Sequence, residues 1–102
     1  MITTVEGLRH GQMVESIQGR DCRQYYLIIG LIGDKYLLLV DGHKHPLAKP
    51  KRKNIKHVRV TMYVAKDIEE RVLRGEPLSN SQIKSALERL KNQHEEGSRF
   101  NG

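Results

Sequence analysis

Residues 43–59, HKHPLAKPKRKNIKHVR, hold the side chains of this chain best suited to chemistry. Seven are Lys or Arg (Lys44, Lys49, Lys51, Arg52, Lys53, Lys56, Arg59), three are His, and none is Asp or Glu. Cations at this density neutralise the phosphates of a polyanion and release its condensed counterions. Lys49, Lys51, Arg52, Lys53 and Lys56 are therefore expected to be the main phosphate contacts, carried on a basic loop, with Lys44, Arg20 and Arg23 flanking them. Asn54 and His57 add hydrogen-bonding groups of the kind that meet base edges or sugars. Pro46 and Pro50 stiffen the segment and lower the entropy lost on binding.

Other chemistries have less to stand on. His43-x-His45 would share one face of a strand and invites a metal. No carboxylate or thiolate ligand lies close in sequence, so the pair reads as polar groups on a basic surface. Cys22, between Arg20 and Arg23, has neighbours that favour a thiolate, but no histidine stands beside it to make a nucleophile–base pair. Tyr25, Tyr26, Tyr36 and Tyr63 have faces for base stacking, and equally serve as sheet packing. Asp21, Asp34 and Asp41 fall at turns, which is sufficient reason for them. A glycine-rich phosphate loop and paired carboxylates are both missing. The expectation is a binding protein, not an enzyme, with no cofactor and no metal.

The charge is local. The chain has 102 residues and a net charge of +6, from 18 basic and 12 acidic residues; segment 43–59 alone carries +7. The rest holds 11 basic and 12 acidic residues, so it is close to neutral. A single block on a neutral background is the footprint of a polyanion partner. The length suits about one domain. One cysteine excludes an internal disulfide and a cysteine-based zinc site. The start, MITTVEGLRHG, lacks the pattern of a signal peptide. The apolar run YYLIIGLIG falls well short of the ~20 residues that cross a bilayer. A soluble, cytoplasmic, monomeric protein is expected, with no membrane partner, since no lipidation signal or amphipathic basic helix supports the patch.

The elements that must position these residues follow from periodicity. Strands are expected over 12–17, 24–32 and 35–40, the last two joined at Gly33-Asp34, with a further short strand near HKHPLA after Asp41-Gly42. Pro46 and Pro50 argue against a helix or a central strand through 46–53. HVRVTMYV (57–64) alternates, so Val58, Val60, Met62 and Val64 should share one face. AKDIEERVLRG (65–75) reads as a helix ended by Gly75. SNSQIKSALERLKNQHEE (79–96) reads as a longer helix with a Ser79/Gln82 capping box and an apolar stripe of Ile83, Ala86, Leu87 and Leu90. GSRFNG should fray. Strands 24–32 and 35–40 are apolar on both faces, so the 79–93 stripe is expected to cover one of them.

GQMVESIQGRDCRQYYLIIGLIGDKYLLLVDGHKHPLAKPKRKNIKHV resembles the KOW-domain RNA-binding proteins, in particular those similar to the fourteen-e type of large-subunit ribosomal protein of archaea and eukaryotes. The resemblance runs from Gly11 through Val14 and Ser16 to Gly19-Arg20-Asp21, then through strand 25–29 to the basic Pro-Lys-Arg-Lys-Asn stretch. It covers roughly residues 6–60, and the helix at 79–90 more loosely. It implies a small SH3-like barrel; joined to the helices read above, the expectation is a mainly β fold with the barrel over 1–64, C-terminal helices over 65–95 packed on it in the same domain, and a tail over 96–102. The resemblance also implies RNA binding, with ribosomal RNA as the partner and ribosomal proteins as neighbours. One departure concerns the backbone. The family usually places Gly about two residues after the turn Asp, where this chain has Arg23.

A protein-interaction module is the alternative, because SH3-like barrels also bind peptides and the basic segment would suit an acidic partner from translation or transcription. An exposed aromatic groove would mark such a module, and this chain has four Tyr, one Phe and no Trp.

Overall fold

In the computed structural model, residues 4–101 are described, with side chains through Glu96. Five antiparallel strands form one sheet and two helices follow. The elements are β1 (Gln12–Ser16), β2 (Tyr25–Ile32), β3 (Tyr36–Val40), β4 (Lys51–Asn54), a 3₁₀ turn (Ile55–His57), β5 (Val58–Val64), α1 (Lys66–Arg74) and α2 (Asn80–Asn101). The sheet order is β4-β3-β2-β1-β5, so β5 returns to pair with β1.

Two faces of the sheet are buried for two different reasons. Tyr26 and Ile28 of β2 point into a cluster with Val14, Leu37, Leu39, Ile55 and Val58, while Leu27 points the opposite way. There it meets Met13, Val40, Ala65, Ile68 and the stripe Ile83, Ala86, Leu87 and Leu90. The helices thus cover one face, as the stripe predicts. The sheet's own curl covers the other. Residues from β3 and from the 3₁₀ turn and β5 meet in one cluster although two strands lie between β3 and β5.

The helix ends are built as their residues dictate. The Ser79 N–H donates to Gln82 Oε1 at 2.9 Å, and the Gln82 N–H donates to Ser79 Oγ at 3.1 Å, the reciprocal capping box. Gly75 ends α1 at φ 69°, a left-handed cap whose N–H reaches Arg71 and Val72 carbonyls.

Four expectations are corrected. The segment HKHPLA forms no strand. Asp41 Oδ1 accepts the N–H groups of His43 and His45, each at 2.8 Å, and turns the chain there. The basic stretch 51–54, expected as loop, is instead an edge strand. It starts directly after Pro50, where the missing N–H no longer obstructs pairing, and Leu39 faces Lys51 and Leu37 faces Lys53. Met62 is 85% exposed, not inward. The register jumps from Val14↔Val60 to Gln12↔Val64, so β5 carries extra residues there and Met62 is pushed out. Finally, α2 continues through Asn101, so the backbone expected to fray after residue 96 is helical.

Candidate nucleic-acid interface

β4 splits its cations between two directions. Lys51 and Lys53 face the β1–β2 connection, and Arg52 faces out, its guanidinium carbon 4.2 Å from the centroid of the Tyr36 ring. This follows from the two-residue period of a strand.

Asp21 is the hub on the inner side. Its Oδ1 accepts from Lys53 Nζ at 2.8 Å and from Ser16 Oγ at 3.0 Å. Its Oδ2 accepts from Tyr26 Oη at 3.0 Å and pairs with Lys51 Nζ at 2.8 Å. Burial pushes the Asp21 carboxyl up, but the hydrogen bonds from Lys51, Lys53, Ser16 and Tyr26 outweigh it and hold the group well below the usual carboxylate range. Burial and the bond to Asp21 push the Tyr26 phenol above its ordinary value.

Lys53 is therefore not the free phosphate contact its sequence context suggests. It is 8% exposed, and its ammonium donates to Ser16 Oγ, the Gln18 carbonyl and Asp21 Oδ1, at 2.6, 2.7 and 2.8 Å. An ammonium has three donors, and all three are used. Lys51 is an intermediate case: paired with Asp21, with its side chain 30% exposed. Asn54 is also partly committed, since its Oδ1 accepts the Lys56 N–H and caps the 3₁₀ turn.

The remaining cations are outside. Lys44, Lys49, Arg52 and Lys56 are exposed, as are His57, Arg20 and Arg23. None of these Lys and Arg residues has an ion pair among the described residues. Arg59 is engaged with Glu15 at 3.4 Å. The Asp21 hub ties the loop that carries Arg20 and Arg23 to β4. Arg20, Lys44 and Lys51 consequently line one hollow of about 390 Å³.

Arg23 sits at φ 73°. This is the left-handed region, which an arginine rarely occupies. The turn is closed by Arg23 N–H to the Ser16 carbonyl at 2.7 Å and Gln24 N–H to the Asp21 carbonyl at 2.9 Å.

Other candidates stand apart. Cys22 is exposed and free. Among the described residues no three His, Cys, Asp or Glu side chains gather as metal ligands, and no helix is long and apolar enough to cross a membrane. Tyr25 and Tyr63 pack edge-on to His94 of α2, at 5.9 and 5.5 Å between ring centroids, which makes them helix–sheet contacts.

Residue types alone missed Asp21 as a hub. The available signal was the alternation Lys51-Arg52-Lys53, which puts two lysines on one side of a strand and calls for a carboxylate opposite. Protein-family models give no match to this chain, and curated proteins give none either.

Proposed function

We propose that this protein binds RNA through the outer face of β4, the 3₁₀ turn and the loops on either side, as a KOW-like module of the translation machinery acting in the cytoplasm. The observation that carries the reading is the separation of cations at β4. Lys51 and Lys53 are spent on an internal carboxylate, while Lys44, Lys49, Arg52 and Lys56 stay exposed with no acidic partner among the described residues. Unpaired surface cations in one patch attract a polyanion at low energetic cost, because no internal ion pair must be broken. Arg52 over Tyr36 adds a flat cation that can meet a phosphate or a base face.

An SH3-like barrel is the fold reading that goes with it. Its supports are the return of β5 to β1, the 3₁₀ turn before β5, and a curl strong enough to bring β4 to β1. Side chains of those two strands meet over the inner face although β2 and β3 lie between them: Lys53 Nζ is 2.6 Å from Ser16 Oγ. Ribosomal RNA is the partner class implied by the resemblance to ribosomal proteins.

The test is a salt titration of RNA affinity for the wild type and for the Lys49→Ala, Arg52→Ala, Lys56→Ala triple variant. Each lost phosphate contact should lower the steepness of log K against log salt by about 0.7–0.9, so the triple variant should lose about 2–3. All RNA sequences should weaken alike, since phosphate contacts carry no base identity. Unchanged affinity and slope would remove this face as the RNA site and move the acidic-protein partner to the front.

A further inference from the structure

The hollow beside β4 differs from the exposed patch in shape and in chemistry. It measures about 390 Å³ and lies between the β1–β2 loop and the turn at 41–45. That volume is at the low end of the roughly 300–1,000 Å³ typical of small-ligand sites. It is on the scale of one nucleotide.

Its walls divide by function. Arg20, Lys44 and Lys51 supply the cationic side. His43, His45 and Gln24 supply rings and an amide with both donors and acceptors. Both carboxylates in the lining are already engaged. Asp21 accepts four hydrogen bonds, and Asp41 Oδ1 accepts two backbone N–H groups. Their charges remain, but the three cations Arg20, Lys44 and Lys51 outnumber these two carboxylates, so the excess facing the hollow is cationic. The His45 ring is held edge-on to Tyr26, 5.5 Å between centroids, so that wall is preorganised.

A second hollow lies next to it, toward α2, and shares Gln24, Asp41 and His43 as the dividing wall. There Glu88 and Glu95 stand against Lys84 and Lys91. Together with Asp41 the acids outnumber the lysines, so a phosphate is not favoured in it. The cationic side of the pair of hollows is therefore the one beside β4.

We propose that the hollow bounded by Arg20, Lys44, Lys51, His43, His45 and Gln24 seats one unstacked nucleotide, which makes single-stranded RNA the preferred ligand class. This rests on the RNA-binding reading and deepens it. Arg20 and Lys44, which have no ion pair among the described residues, take the phosphate, while Lys51 stays on Asp21 at its edge; the histidine rings and Gln24 meet the base. Bases are available in this way in loops, bulges and ends, and not inside an A-form helix, whose deep narrow groove hides them.

Two measurements on the full-length protein test it. The first compares a 12-nucleotide single strand with a blunt duplex in which each strand has that length. The single strand should bind about tenfold more tightly, the size of one base seated against rings. In the Gln24→Ala, His43→Ala double variant, the single-strand affinity should fall to the duplex level. Both positions are exposed, so its urea midpoint should match the wild type. The second is a titration with adenosine and uridine 5′-monophosphates followed by amide NMR. Shifts should centre on Gln24, His43, Lys44 and His45, and inorganic phosphate should reproduce only those near Lys44. Equal single-strand and duplex affinities with no response to the double variant would overturn the nucleotide seat and leave RNA binding on the outer face intact. Failure of both RNAs to bind would overturn the RNA reading itself.

Discussion

Lys53 of β4 and Asp21 of the β1–β2 connection form an ion pair of 2.8 Å across the curled sheet, with side chains only 8% and 11% exposed. The pair is made of two residues 32 positions apart, and it closes the end of the sheet where the basic surface begins. A charge placed there is unfavourable unless every donor and acceptor is met, and here the described buried side-chain polar atoms all have partners.

Removing one member should be costly. Asp21→Ala leaves Lys53 charged and nearly buried, and should lower unfolding free energy by about 3 kcal/mol. Lys53→Met, which keeps the volume and leaves Lys51 for Asp21, should cost clearly less. Urea unfolding of the two variants measures the difference. Equal and small losses for both would mean that the pair is solvated in solution.

The same hub sets a pH window for stability. Asp21 holds its proton less tightly in the folded state, so its stabilisation is present above the ordinary aspartate range, about pH 4, and is lost as pH falls below it. Tyr26 holds its proton more tightly when folded, so its contribution is complete below about pH 10 and is lost as pH rises beyond it. Chemical denaturation across pH should therefore show an acid decline that Asp21→Asn flattens and an alkaline decline that Tyr26→Phe flattens.

Arg23 offers a way to separate fold from binding. An L-residue in the left-handed region costs about 1–2 kcal/mol, and Gly escapes that cost while giving back part of it as unfolded-state entropy. Arg23→Gly should therefore leave stability equal or raise it by up to about 1 kcal/mol. If Arg23 flanks the RNA, the same change should weaken RNA binding. Thermal unfolding and an RNA titration on one sample read both effects.

The seating of α2 depends on Gly42 and Leu87. Gly42 lies at φ 78°, and a Cβ there would come within 2.5 Å of the Asn80 carbonyl oxygen and 2.7 Å of Lys84 Cγ. Gly42→Ala should cost more than the ~1–2 kcal/mol of a left-handed alanine, because the N-terminal turn of α2 must also move. Leu87 is 6% exposed in the cluster with Leu27 and Val40, so Leu87→Ala should cost about 2–5 kcal/mol. Truncation after Gly75 should uncover Met13, Leu27 and Val40 and produce aggregation in light scattering; a soluble, cooperatively unfolding 1–75 fragment would contradict this.

Much of the architecture is legible in residue order because it depends on local periodicity. The strand character of β1 and β2, the Ser79/Gln82 cap, the Gly75 stop and the stripe Ile83-Ala86-Leu87-Leu90 all arise from the residues along one element. So does the burial of both faces of β2, since Tyr26, Leu27 and Ile28 in a row leave no polar side. The charge block at 43–59 is equally a property of the sequence. What each of its cations does was decided only in three dimensions. The curl of the sheet brings Asp21 against β4, and that single carboxylate takes Lys53 fully, takes Lys51 partly and leaves Arg52 to the outside. Spacing along the chain carries no information on a partner 30 residues away, so seven like charges in one segment look equivalent until the sheet closes. The outward turn of Met62 has the same origin: a register jump against β1 is a property of the pair of strands, not of either strand alone.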